Sequence, residues 1–513
     1  MNGKQVRLFV AGALAAMLLS FLDENIVTSA AWQITRHLDP AHGLDRLPWL
    51  VTAYVLAATA SQPLYGKFCD LYGPKPVYLF AVCVFLLGSA ACGLAQSMGE
   101  LIAFRAVQGL GGGGLMSVTL IIIATLLPAR SRTSGAGLGG GLVALGIVAG
   151  PLLGGFLCQY LSWRWIFYVN LPLGLLTIVG TVFGLRMPER ERGEQRVDVL
   201  GAALVTAGAT ALLLLARWGG GTYAWTSPVI LTLGAAAVLL VVVFCWWQTR
   251  AADPILPMSL FTDPVFRVAA PLQFVGGFTV LAVPVFVVTY LQVARGVSAQ
   301  ASGIRLAPMA IGVLVVMMVS GRLIPRFGRF KPVLVVNASV AVIALALFGL
   351  IRADTTSLTV GLLLIPLGFG LGGVVQVVLQ TAQAAAPEDR LGVVTSGTRF
   401  FMTLGSAFGT ALLGEVLSHR LTALAPGGMP GPGHARNQVY ASATSTTFLV
   451  AAGVMVLGLL LALAMPDVAF DASDGADDAD SADAPAEDAS GAAEQPVGSA
   501  GPHDRTEPAV QAA

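Results

Sequence analysis

The chain has 513 residues, of which 56% are hydrophobic and only 11% charged. Soluble domains carry about 25% charged residues, so the composition excludes a water-soluble globule. The net charge of +1 hides an asymmetry: from Asp467 onward there are twelve acids and one base, Arg505, which leaves 16 acids and 28 bases in the rest. A basic body of this kind reflects cytoplasmic loops under the positive-inside rule, not nucleic-acid binding.

The apolar residues fall in runs of about 20, enough to cross about 30 Å of hydrocarbon as helix. They lack the short alternating segments of a β-barrel. In chain order the predicted spans are 8–34, 48–66, 77–96, 98–126, 134–159, 165–185, 198–216, 227–247, 266–293, 303–323, 332–351, 357–385, 391–417 and 443–465. The sequence therefore describes an all-α polytopic membrane protein with 14 transmembrane helices. Lys4 and Arg7 precede the first run, as in a signal peptide, but the run reaches Asp23, Glu24 and Asn25 without a small-residue cleavage site. The first span is expected to be retained. With Met1 inside, seventeen Lys and Arg fall on cytoplasmic segments against eight outside, which places both termini in the cytoplasm.

Asp23 and Glu24 lie within the first run. Charges in hydrocarbon cost about 2.5–3.5 kcal/mol each on insertion scales, so they usually face a cavity or relay protons. The alternative ends the span at Leu22 and leaves the pair at the outer surface. Ile26, Val27, Ala30, Ala31 and Trp32 continue the apolar pattern and favour the intramembrane position. Neighbouring helical residues point about 100° apart. Asp23 is expected to face inward, and Glu24 to reach the same cavity or a helix interface.

GKFCDLYGPK follows the second span from Gly66, and GRLIPRFGRF follows the tenth from Gly321. Both place glycines seven apart in short basic cytoplasmic turns. Two halves related by such a repeat suggest a transporter that rocks about a central site. Residues 1–186 then form an N-terminal six-helix half and 251–466 a C-terminal six-helix half with pseudo-symmetry to it. Residues 187–250 carry two inserted helices, the seventh and eighth. Residues 467–513 form an acidic cytoplasmic tail. Its Ala, Asp, Gly and Ser cannot bury enough surface to fold, so it is expected to be disordered and solvated.

Arg105 lies about 10 Å into the fourth span and Asp23 about 15 Å below the outer end of the first, at 1.5 Å per residue. The two are close enough in depth for an ion pair or a water-bridged link if the helices are neighbours. Such a pair either loads and releases a proton or is purely structural. In the fifth span Gly146, Gly150 and Gly154 make a bare stripe for close helix packing, and Pro151 can kink the helix. Gly109–Gly114 superficially suggests a phosphate loop, but it lies within a span and lacks the Lys. The five cysteines form no CxxC pair and the five histidines show no zinc spacing. No metal or cofactor is expected.

At this point the chain resembles the major facilitator superfamily, in particular its fourteen-helix drug/proton antiporters, over residues 15–465. LDENIVTSA from Leu22 is similar to that family's first-span motif, with Asp23 at the proton-linked acid. GKFCDLYGPK matches the cytoplasmic-loop motif through Gly66, Asp70, Gly73 and Lys75, with Pro74 where a basic residue is usual. LIAFRAVQGLG matches the fourth-span motif through Arg105, Gln108 and Gly109. GIVAGPLLGG matches the antiporter motif through Gly146, Gly150, Pro151, Gly154 and Gly155. WRWIFYVNLPLG from Trp163 is typical of the fourteen-helix branch. Asn25, Ser29 and Trp32 depart from the usual residues after Asp23. Arg399 sits about one turn before the usual arginine position, which holds Met402. Glu415 falls near the outer end of its span, so no second mid-membrane acid stands out in the C-terminal half.

The resemblance implies alternating access coupled to inward proton flow, with Asp70 helping to latch the halves on the cytoplasmic side. The expected function is a monomeric secondary active exporter of the plasma membrane. It would move a lipophilic organic compound, such as an antibiotic or toxic drug, outward as protons enter. Asp23, with Glu24, binds the proton in this reading, Arg105 tunes it, and the span-five glycines shape the moving interface. A metabolite or siderophore transporter on the same fold, or an importer, is the alternative. A membrane sensor or enzyme is a further one, against which stands the absence of a nucleotide-binding loop or a soluble catalytic domain.

Overall fold

The structure is a computed structural model. It describes Gly12 and residues 18–126, 150–184 and 198–469, without 21, 24–25, 28–29, 31–32, 35–36, 40–42, 151–152, 155, 221, 298, 388–389, 427–429 and 432. Glu24, Gly146, Pro151 and Gly155 lie outside the described residues, as does most of the fifth expected span.

Eleven of the described helices are long and apolar enough to cross a membrane, from Pro74–Leu94 to His434–Ala464. The Gly43–Tyr72 helix holds the place of the second span. Helical turns within 18–38 and 153–160 hold those of the first and fifth. Each of the fourteen expected runs thus carries helix, and the protein is an all-α polytopic membrane protein.

Local chemistry sets many of the helix ends. Asp198, Ser227, Asp263 and Thr356 each cap a helix by accepting from a backbone N–H two or three residues on. Pro228 and Pro264 occupy first-turn positions, where no N–H is missed. The Ala307–Phe327 helix stops at Gly328, whose φ of +64° suits the left-handed cap.

One expected span differs. Residues 266–293 form two helices, Pro264–Val280 and Ala282–Val293. Pro284 has no N–H to offer the Val280 carbonyl, and the ladder breaks just ahead of it.

Helix pairing repeats between the two halves. Met98–Leu126 packs on both Gly43–Tyr72 and Pro74–Leu94, and Ser357–Ala385 packs likewise on Ala307–Phe327 and Lys331–Phe348. Pro74–Leu94 also packs on Asn170–Gly184, as Lys331–Phe348 does on His434–Ala464. The C-terminal half has one continuous apolar core. Among the described residues the N-terminal half has two. One holds Leu19, Phe85 and Leu115; the other holds Ile26, Cys92 and Leu101.

The halves meet where Gly43–Tyr72 crosses Leu391–Leu424. A Cβ on Gly66 would lie 2.6 Å from the Gly392 carbonyl, so only glycine allows this approach. The inserted helix Val199–Trp218 rests on both crossing helices, through Ala209 and Leu213 against Ala60, Phe400 and Leu404. Its lower end is clasped. Asp198 accepts from Trp247 Nε1 and Gln248 Nε2, both at 2.8 Å, and Gln248 accepts from the Leu256 amide at 3.0 Å.

Candidate functional site

The gap between the two N-terminal cores is polar. Along the first span it falls between Leu19 and Ile26, at Asp23; along the third, between Phe85 and Cys92, at Ser89; along the fourth, between Leu101 and Leu115, at Arg105 and Gln108. Asp23, Ser89, Arg105 and Gln108 are all fully buried, and Asn170 is 1% exposed. Unpaired polar groups at such depth cost several kcal/mol.

Nearly every group here is paired. Asp23 Oδ2 accepts from Arg105 Nη1 at 2.5 Å. Asp23 Oδ1 accepts from Gln108 Nε2 at 2.9 Å and from Asn170 Nδ2 at 2.7 Å. Both amides also donate to Ser89 Oγ, at 3.2 and 2.9 Å, and Ser89 donates to the Phe167 carbonyl at 2.9 Å. Arg105 Nη1 donates to Gln108 Oε1 at 2.9 Å and Nε to the Leu50 carbonyl at 3.2 Å. The guanidinium stacks 4.3 Å from the Tyr54 ring centroid. Its Nη2 has no hydrogen-bond partner among the described residues.

Each amide NH2 spends both hydrogens, and the Asp23 carboxyl group receives three N–H groups.

The cytoplasmic-loop residues also find partners. Asp70 Oδ1 and Oδ2 accept from the Gly392 and Val393 amides at 3.1 and 3.0 Å. These are free N–H groups at the start of the Leu391–Leu424 helix, where the helix dipole also favours an anion. Gly73 turns the chain at φ +82°. Lys75 donates to the Val182 carbonyl at 3.1 Å, in the last turn of Asn170–Gly184. Of the span-five set, Gly150 and Gly154 are described and buried. Gly109–Gly114 is a packing surface: a Cβ at Gly109 or Gly113 would lie 2.3 Å from the carbonyl of Tyr54 or Ala58.

In the C-terminal half Arg399 is half-buried, with Nη1 3.6 Å from Met402 Sδ. One turn on, Thr403 hydrogen-bonds Gln62 across the seam at 3.3 Å. Glu415 abuts Gly220 in the turn between the inserted helices.

A sequence profile of the Major Facilitator Superfamily matches residues 13–410. The chain belongs to the major facilitator superfamily. An uncharacterized MFS-type transporter of Mycobacterium tuberculosis is 38% identical over 441 residues, covering 82% of this chain and 64% of that protein. The chain therefore spans under two thirds of that relative. The multidrug transporter protein MdtP of Bacillus subtilis is 34% identical over 421 residues, covering 82% of this chain and 77% of its own length. Among solved structures, the human organic anion transporter MFSD10 aligns with a TM-score of 0.65 at 17% identity, over 89% of this chain and 99% of that one. That likeness shows the superfamily fold. The superfamily is made up of transporters, and this chain shares its multi-pass membrane fold.

Sequence reasoning paired Asp23 with Arg105 but left out Asn170 and Ser89. Asn170 had a signal, as a polar residue within WRWIFYVNLPLG. Ser89 had none, because lone serines are common in membrane helices.

Proposed function

We propose that this transporter is a proton-coupled exporter of lipophilic organic compounds, working by alternating access between its two halves in the plasma membrane. It would act as a monomer with both termini in the cytoplasm. Asp23 carries the proton. Arg105, Gln108, Asn170 and Ser89 hold the empty, anionic carboxylate, and Asp70 latches the cytoplasmic ends together.

One observation carries this reading: Asp23 is fully buried and faces three N–H donors from the fourth and sixth spans. In this reading, proton uptake weakens these charge-assisted bonds and loosens the fourth and sixth spans from the first. Each charge crossing about 100 mV supplies about 2.3 kcal/mol, enough for roughly a fiftyfold gradient of a neutral substrate. Multidrug relatives such as MdtP support the substrate class.

The test is efflux of a lipophilic dye from vesicles under an imposed proton gradient. Asp23→Asn should abolish uphill transport while the protein still inserts and folds. Full gradient-driven export by that variant would remove Asp23 from the coupling mechanism.

A further inference from the structure

From Met465 to Ala469 the chain stays on the protein. Met465 is buried in the C-terminal core and Val468 packs against it. Asp467 Oδ2 accepts from Arg329 Nη1 at 2.8 Å, and Ala469 makes an antiparallel bridge with Arg329. Arg329 lies in the turn between Ala307–Phe327 and Lys331–Phe348; Arg322 and Arg326 stand near the end of the first helix, and Lys331 begins the second. Arg322 and Arg326 are exposed. Among the described residues, Asp467 is the one carboxylate in ion-pair contact with any of the four.

The internal repeat shows what this turn lacks. In GKFCDLYGPK the fifth residue is Asp70; in GRLIPRFGRF it is Pro325. Asp467 supplies from the chain's far end the acid that the repeat omits. The next residues are strongly acidic: 471–488 hold eight Asp and Glu and no base.

We propose that residues 470–488 dock on the basic turn formed by Arg322, Arg326, Arg329 and Lys331, so that the acidic tail is the built-in partner of this surface. One surface ion pair is weak. Here, however, the tether at Asp467–Ala469 holds the first acids within a few residues of the cations, at an effective concentration in the millimolar range. Several weak pairs then act together. Docking also shields the turn from the other anion available at a membrane surface, the headgroups of acidic lipids.

The experiment uses the full chain in nanodiscs and a zero-length carbodiimide, which joins Lys331 Nζ to any carboxylate in contact, read by mass spectrometry. In zwitterionic lipid at low salt, Lys331 should be joined to peptides from 470–488. The yield should fall about fivefold or more in ~0.5 M salt, where the screening length shrinks to a few ångströms. It should fall similarly in Arg322→Glu/Arg326→Glu, two exposed changes that leave the core intact. A yield indifferent to salt and to both charge reversals would overturn the proposal. So would its loss in nanodiscs of acidic lipid, which would make headgroups the occupant.

Discussion

Replacing Gly392 by Ala tests whether the crossing of Gly43–Tyr72 and Leu391–Leu424 holds the cytoplasmic ends of the halves together. The added methyl carbon would lie 2.3 Å from Asp70 Oδ1 and 2.6 Å from the Gly66 carbonyl oxygen. The carboxylate can turn away, but the backbone oxygen cannot. The helices must part by about 0.8 Å or more to reach ordinary contact. The Asp70 bonds, now 3.1 and 3.0 Å, would then approach about 3.8 Å, which is no longer a hydrogen bond. Bonds to a charged group contribute about 1.5–3 kcal/mol each. If relaxation restores one of the two, the closed arrangement loses about 2 kcal/mol, or roughly thirtyfold in population. An arrangement with the cytoplasmic ends apart loses nothing. Ser396 is fully buried beside Gly66 and is a natural reporter. In a chain whose five cysteines are replaced, Ser396→Cys should react with an impermeant maleimide at least tenfold faster once Gly392→Ala is added. Equal rates in parent and variant, at equal expression, would refute the latch.

Asn170→Ala removes one donor to Asp23 and one to Ser89. Proton-driven dye export should fall about tenfold or more, as for loss of a buried bond to a charge, while exchange of dye without a gradient persists. An unchanged ratio of the two rates in proteoliposomes would separate Asn170 from coupling. Asp198→Ala removes the cap of Val199–Trp218 together with its bonds to Trp247 and Gln248. About 1–2 kcal/mol should be lost for the cap alone, seen as a lower Tm in detergent, with coupling left intact. A Tm equal to the parent's would count against the clasp.

Much of the candidate site could be read from spacing. A fixed rise per residue sets depth along a helix, so Asp23 and Arg105 could be placed at one level before any packing was known. Which helices are neighbours is a tertiary fact, and so the motif that holds Asn170 could not show that its amide meets Asp23, 147 residues away in sequence. The same holds for Asp70. Its motif was legible, but its partners lie 322 and 323 residues away and are backbone amides, which carry no side-chain signature. Hydropathy fixed the apolar runs well and their ends poorly. Gly43–Tyr72 outgrows its predicted 48–66 at both ends, because helix continues past the hydrocarbon where the chain is still paired. The ninth span was placed correctly, as Pro264–Val293, and only its internal break went unread, because hydropathy does not register the missing N–H of Pro284.

The clasp at Asp198 settles a question of mechanics. The inserted helix Val199–Trp218 bears on both halves, so any rocking between them must slide at one of its two contacts. Gln248 fastens the pair to Leu256, at the start of the C-terminal half. Against Gly43–Tyr72 the contact is apolar, through Ala60 and Leu56, with the Trp218 and Trp49 rings edge to face at 6.0 Å. The pair therefore grips the two halves unequally, by a hydrogen-bonded tie on the C-terminal side and by apolar and aromatic contact alone on the second span.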